Sequence, residues 1–466
     1  MASSNNITFG LEYELKLRVT ASQLQQELQS DPATKNIEVV TDAGQVRLSK
    51  VGPQYLQNDY LNFAFRDSAS HPQRTTLVSK VTGEQCEIRG YSMEALRIVQ
   101  RRLQAVSGYE ATAIYQGQGK QADFSSAPLY LTHDASLNGL NKAAKIATGL
   151  CTADQADTTD FIGTEIVTAP RNSPQEACDE AYMISAALRS DGLDYLIDDE
   201  CAMHIHVGKQ DGTRFDIKTL QHLAYLVLIY EHEFARMTVP RKRGGDFETR
   251  SNRLDFATEC PSPEPHHAYL CDQQGINTEG SVEVVWNYQS LSQIRKALFD
   301  DVDSAKDPHK AFVNLMGDKG HIVNFSYAAR DISNNEPAAT VEFRQHQGTL
   351  NGDDVLHWAR HCTALVALAQ SYANNNNTHH SITTWSDNID IEQLWREVKL
   401  PEATKHFYRS RVQEFDKRWP DEHQTPLCEP DMVFDHDDDF CFSDEEESEG
   451  SKEPDMTEDA DVQEKC

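Results

Sequence analysis

Residues 7–19, ITFGLEYELKLRV, constrain the fold more than any other stretch of the chain. Ile7, Phe9, Leu11, Tyr13, Leu15, Leu17 and Val19 take every second position, and polar residues or glycine fill the others. A period of two over this length predicts a long β-strand with one apolar and one polar face. Such a strand must bury its apolar side against a second layer, so the chain has to build a sheet covered on one face. Residues 202–208 (AMHIHVG) and 339–346 (ATVEFRQH) alternate in the same way. The stretches 128–133, 163–168 and 321–327 read as further strands. Helices are predicted over 91–107 with Ser92 as the cap, and from Ser173 (N-cap, Pro174 next) to a stop before Gly192. Three more regions read as helical: Asp216 to Pro240, Asp353 to about Ala373, and two segments between 390 and 418. Residues 241–276 are rich in Gly, Pro, Asn and charge and read as loop. Strands and helices do not alternate one for one, and several strands are two-faced. The expected class is therefore α+β, with a mainly antiparallel sheet rather than a doubly wound parallel one.

Charge divides the chain. The net charge is −31, and residues 421–466 hold nineteen Asp and Glu against two lysines, leaving −17 there and −14 on residues 1–420. The acidic segment has few residues able to form a core and reads as a disordered, self-repelling tail behind one folded region, 1–420. Neither part offers the basic surface that nucleic acid demands, so nucleic-acid binding is excluded as the main function. No run of eighteen apolar residues exists, which argues against a transmembrane helix and a membrane partner. The start, MASSNNITFGLEYE, has neither the basic nor the apolar region of a secretory signal. Ten scattered cysteines without a CxxC pair then read as reduced thiols, and a cytoplasmic location is expected.

Several strands carry residues able to do chemistry. Glu12 and Glu14, two apart on a strand, lie on one face about 6.5–7 Å from each other. They repel unless a cation joins them, although an isolated pair is ordinarily a solvated face neutralised by neighbours such as Lys16 and Arg18. His204 and His206 share a face opposite Met203, Ile205 and Val207. They can share a metal, hold a metal and a phosphate separately, or simply line an exposed strand. In VEFRQHQGTL, Glu342, Arg344 and His346 alternate with Val341, Phe343 and Gln345. Glu165 is a carboxylate inside an otherwise apolar strand. Four strands thus offer Glu, His or Arg on one side and apolar groups on the other. Carboxylates with an imidazole suit Mg²⁺ or Mn²⁺, and an arginine among them suits a phosphate.

Taken in order, these motifs resemble the amidoligase family, within the glutamine synthetase and glutamate–cysteine ligase superfamily of ATP-dependent carboxylate–amine ligases. The resemblance rests on Glu12/Glu14 in GLEYEL, Asp134-Ala135-Ser136, Glu165 to Pro170, His204 to Gly208, and Glu342 to Thr349, and it spans residues 7–373. It implies a curved sheet with helices on its outer face and two divalent ions, Mg²⁺ or Mn²⁺. Glu14 and Glu165 would hold one ion; Glu12, His204 and Glu342 would hold the other. His206 and Arg344 would contact the phosphates of ATP, and Asp134, Arg241, Arg243 and Asn324 would lie near substrate. The implied substrates are a carboxylate and an amine, borne by an amino acid, peptide or protein. The segment before Asp134, PLYLTH, departs from the family, which often has a tryptophan there. The motifs say nothing of oligomeric state.

Two other readings remain open at this level. A metallohydrolase built on His204-x-His206 would need no ATP and leaves Glu12 and Glu14 without a role. A catalytically inactive ligase fold would serve as an interaction module with the acidic tail as its docking arm. Cys260, His266, His267 and Cys271 match no familiar zinc spacing. The basic cluster Arg241, Lys242 and Arg243, with Arg250 and Arg253, is either helix-dipole compensation or an anion-gripping lid.

Overall fold

The computed structural model describes residues 6–30, 39–42, 45–48, 74–78, 85–89, 92–108, 110–113, 128–134, 136–137, 140–190, 193–239, 245–246, 249–250, 252, 274–276, 282–284, 295–317, 320–330, 338–374 and 391–419. Arg241, Arg243, Arg253, the Cys260–Cys271 cluster and the acidic tail from residue 421 lie outside them.

The chain runs β1 (Ile7–Thr20), α1 (Ala21–Ser30), α2 (Ser92–Ser107), β2 (Ala111–Ala113), β3 (Leu129–His133) and α3 (Lys142–Ala147). It continues through β4 (Thr159–Thr168), α4 (Pro174–Leu188), β5 (Asp194–Leu196), β6 (Ala202–Lys209), α5 (Ile217–Arg236) and α6 (Pro308–Met316). It closes with β7 (Val323–Asn324), β8 (Thr340–Gln347), α7 (Gly352–Asn374), α8 (Ile391–Glu397) and α9 (Glu402–Arg418). Eight strands form one sheet in the order β7-β8-β6-β1-β4-β3-β2, with β5 beside β1. Every pairing is antiparallel except that of β2 with β3. The class is mixed α and β with a mainly antiparallel sheet. Among the described residues no helix is long and apolar enough to cross a membrane.

Strand β1 is the centre of this sheet because it is paired along both edges. Residues 7–13 pair with β6, residues 12–20 with β4, and residues 16–18 with β5. Its odd-numbered side chains Phe9, Leu11, Tyr13, Leu15, Leu17 and Val19 are buried, as the alternation requires. They join Met203, Ile205 and Val207 of β6, Val341 and Phe343 of β8, and apolar residues of α4, α5 and α7 in one core. Helix α7 packs against α4, α5, β1 and β6, so the helical layer covers the odd-numbered face. Each large apolar side chain buried this way contributes about 1.5–3 kcal/mol. The helix starts follow the capping logic: Asp216 accepts from the Thr219 amide and Ser173 from the Glu176 amide, with Pro174 first in α4.

Two strands differ from their sequence patterns. Only Val323 and Asn324 of the stretch 321–327 join the sheet. The Asn324 side-chain oxygen accepts from the amide and hydroxyl of Ser326, a local turn that takes the backbone out of the ladder. In β8 the register to β6 shifts: Phe343 lies opposite Ile205, but His346 lies opposite Met203. One extra residue on β8 makes a β-bulge, so Arg344 and Gln345 together oppose His204. The simple alternation that put His346 on one face with Glu342 and Arg344 is therefore wrong. His346 turns to the apolar side, where it is fully buried near Trp358 of α7.

Because Leu15 is completely buried at the middle of the central strand, Leu15→Ala is expected to cost about 2–5 kcal/mol. Urea denaturation should show a lower midpoint with an unchanged slope.

Candidate metal and anion site

The even-numbered residues of β1 occupy the face away from the helices, and the strand register sets their neighbours. Glu14 is paired with Glu165 of β4, Glu12 with His204 of β6, and His206 with Glu342 of β8. Asn324 of β7 follows beside Glu342, and Thr132 of β3 beside Glu165. Pairing alone thus gathers four glutamates and two histidines from four strands.

His204 sits among three of the carboxylates. Its Nδ1 lies 3.2 Å from Glu12 and 3.4 Å from Glu342, and its Nε2 lies 3.5 Å from Glu14. Glu14 is also held by the Ala202 amide at 2.7 Å. His206 presents Nε2 to Glu12 at 3.0 Å and to Glu342 at 3.8 Å. Its Nδ1 lies 3.3 Å from the Thr340 hydroxyl, which fixes the ring with Nε2 facing the carboxylates. Arg344 donates to Glu342 at 2.6 Å, and the Asn324 amide donates to the other oxygen of Glu342 at 2.6 Å. Donor atoms of Glu12, His206 and Glu342 lie within 4.8 Å of one another, a group able to hold one cation. Burial works to raise the Glu12 carboxyl, but the charge of His206 and hydrogen bonds from both histidines hold it well below the usual range. Burial likewise opposes charge on His206, yet Glu12 and Glu342 bring it up to about 9.

Among the described residues Glu165 has no such cationic partner. Burial, then the charges of Glu12, Asp134 and Glu14, push Glu165 well above the ordinary carboxylate range, and it shares a hydrogen bond with Glu12. Lys16, which the sequence offers as a partner for Glu12 and Glu14, is buried and bonded instead to Asp198, at 2.7 Å, and to Glu200. A carboxyl pushed up by its acidic neighbours marks a site with an excess of acid, which a divalent cation relieves. The donor set of carboxylates and imidazole fits Mg²⁺ or Mn²⁺.

The structure thus brings together Glu12, Glu14, Glu165, His204, His206, Glu342 and Arg344, with Asp134 close enough for its charge to act on Glu165. Asn324, expected near substrate, uses both ends of its amide on Glu342 and Ser326. Arg241 and Arg243 fall outside the described residues. Sequence reasoning missed Thr340, although it lies two residues before Glu342 on the same strand. It also missed Tyr327, whose ring stacks on His206 at 6.1 Å and lies under the Arg330 guanidinium at 3.9 Å. Nothing in the local pattern marks Tyr327.

Two glycines make room for this arrangement. A Cβ on Gly208 would come within 3.0 Å of the Ala339 carbonyl and 3.2 Å of the Thr340 methyl, so glycine lets Thr340 approach His206. A Cβ on Gly163 would meet the Asp134 carbonyl at 2.4 Å and Leu137 at 2.7 Å. Asp134 and Leu137 therefore lie over β4 where glycine stands, and the Asp134 amide donates to the Gly163 carbonyl at 3.1 Å. Compared with protein-family models and with curated proteins, the chain matches none.

Two outcomes follow from this geometry. Gly163→Ala should displace the Asp134 segment and cost about 1–3 kcal/mol; a thermal melt and the Mn²⁺ affinity read the two effects. In the cation-free protein His206 carries its proton at pH 7, and a metal must expel it. Mn²⁺ affinity is therefore expected to rise with pH from 7 toward about 9 and then to level off. Calorimetric titration in two buffers of different ionisation heat should show proton release at pH 7.

Proposed function

We propose that the protein is an ATP-dependent carboxylate–amine ligase of the amidoligase family, built on a glutamine synthetase-like sheet. The observation that carries this reading is the acid cluster itself: Glu12, His206 and Glu342 within reach of one cation, Arg344 on Glu342, and Glu165 pushed well above the ordinary carboxylate range by burial and its acidic neighbours. The carboxylates Glu12 and Glu14 have no task in a hydrolase based on His204 and His206, yet Glu12 lies within reach of both imidazoles and Glu14 beside His204. A non-binding scaffold would gather four carboxylates with only Arg344 and the two histidines to offset them, and would leave Glu165 among acids.

Glu12, Glu14, Glu165, His204, His206 and Glu342 are the residues that would hold Mg²⁺ or Mn²⁺. The ions would shield the oxygens of ATP and stabilise charge on the transferred phosphoryl group. The rest falls to the chain. Arg344 directs a fixed cationic fork toward the anion that develops during transfer. Asn324 fixes the second oxygen of Glu342, so that carboxylate cannot rotate away. Thr340 sets the ring of His206, and Tyr327 walls its outer side. In the net reaction a substrate carboxylate attacks the γ-phosphorus and releases ADP. An amine that has lost a proton then attacks the acyl carbon and displaces phosphate. Asp134, whose charge reaches Glu165, would serve the ammonium group of the substrate. The substrate is a small molecule or peptide bearing these two groups.

The test is ATP turnover by the full chain with Mg²⁺ and pooled amino acids and peptides. Phosphate release should require an added carboxylate or amine. Arg344→Ala should lower kcat/KM by about 10²–10³-fold, and Glu12→Ala should abolish the metal dependence. Absence of any metal-dependent nucleotide binding would overturn the reading.

A further inference from the structure

His346 belongs to the motif that carries Glu342 and Arg344, yet the site does not use it. The bulge sends it through the sheet to the helical side, where it is completely buried. There its Nδ1 lies 2.7 Å from the Gln347 carbonyl and its Nε2 lies 3.1 Å from Nη1 of Arg411 on α9. A carbonyl on one nitrogen and a guanidinium on the other allow one arrangement. The neutral ring donates from Nδ1 and accepts at Nε2. Burial, and then the charge of Arg411, bring its pKa down to about 4, in keeping with that tautomer.

Arg411 is itself immobilised. It donates to Asp354 in the first turn of α7, whose other oxygen accepts from the Thr349 hydroxyl at 3.0 Å. Its guanidinium lies 4.8 Å from the Phe407 ring and 5.6 Å from the Phe415 ring, one turn to either side on α9. A chain of contacts therefore runs from two helices into β8 immediately behind the bulge. Arg344 would face the polar side in a regular strand too, but the extra residue between Phe343 and His346 sends His346 to the core and bends the strand at Arg344, which sets the direction in which that side chain leaves the backbone. A slip of one position reverses which face a strand side chain takes.

We propose that His346 and Arg411 are positioning residues that pin the β8 bulge from the helical side and so aim Arg344 at Glu342 and the anion site. The aim of Arg344 stands on the strand register alone. That it meets a phosphate rests on the ligase reading above.

The experiment uses the full chain labelled with ¹⁵N at arginine side chains, with the Arg344 Nε signal assigned through Arg344→Lys. His346→Leu removes both hydrogen-bonding positions, His346→Gln keeps an acceptor for Arg411, and Arg411→Met removes the donor at similar volume. The Arg344 signal should shift or broaden in His346→Leu and Arg411→Met, and return toward wild type in His346→Gln. In the first two, the dissociation constant for Mn²⁺-bound ATP should rise roughly tenfold, while that for Mn²⁺ alone stays within roughly twofold. A merely structural lesion would move both constants together and would not be rescued by glutamine. An unchanged Arg344 signal in folded His346→Leu or Arg411→Met protein overturns the proposal. Should His346→Leu not fold, Arg411→Met decides from outside the strand, with Arg411→Lys in its place if needed. If the wild type binds no nucleotide but Arg344 responds as expected, the ligase reading falls and the positioning role stands.

Discussion

The burial of one face of β1 fixes nearly everything else about the molecule. Because Phe9, Leu11, Tyr13, Leu15, Leu17 and Val19 must lie under helices, Glu12 and Glu14 are committed to the opposite face. Because β1 is paired on both edges, those glutamates cannot fray outward into water. They must face whatever β4, β6 and β8 present at the same level of the sheet, and those strands present Glu165, His204, His206 and Glu342. Apolar packing on one side thus supplies the free energy that holds mutually repelling acids together on the other.

The cluster meets that repulsion in two different ways. On the β6–β8 side, protonated His206 and Arg344 surround Glu12 and Glu342 with positive charge, and both carboxyls fall below the usual range although burial opposes it. On the β4 side no cationic side chain among the described residues pairs with Glu165, since Lys16 is bonded to Asp198 and Glu200, and burial with the neighbouring acids pushes Glu165 well above the ordinary carboxylate range. The cation-free protein therefore holds protons within the donor set, above all on His206, whose Nε2 lies 3.0 Å from Glu12. An entering divalent ion exchanges with those protons, which links occupancy of the site to pH without any change of fold.

Much of this was legible in the sequence, because the chemistry sits on strands and strand alternation is a reliable guide to facing. Glu12, Glu14, His204, His206 and Glu342 could be placed on polar faces from spacing alone. Their order along the chain suggested a shared site. What spacing could not give was the pairing of strands far apart in sequence, which decides that Glu14 meets Glu165 and not another acid. Nor could it give the bulge in β8. VEFRQHQ reads as unbroken alternation, and only the register to β6 shows that Arg344 and Gln345 both oppose His204. Lys16 was misjudged for a related reason. A lysine two residues from Glu14 looks like its partner, but its long side chain follows the acids in the segment between β5 and β6. Tyr327, Asp134 and Leu137 stand outside the strands, where no period is left to read.

The bulge also explains why the end of the folded chain matters to a site assembled from its beginning and middle. A flat, regular β8 would have put His346 beside Arg344, adding a third imidazole to the polar face and removing an anchor from the core. Inserting one residue gives His346 the surroundings its chemistry needs, a carbonyl and a guanidinium within a dry interior, while Arg344 stays on the carboxylate of Glu342. The cost is an irregular ladder beside β6, and irregular ladders persist when side chains on both faces favour the same count. Here Glu342 holds Arg344 from one side while Arg411, itself fixed by Asp354, holds His346 from the other. Neither contact alone determines the register, but together they leave only one that satisfies both.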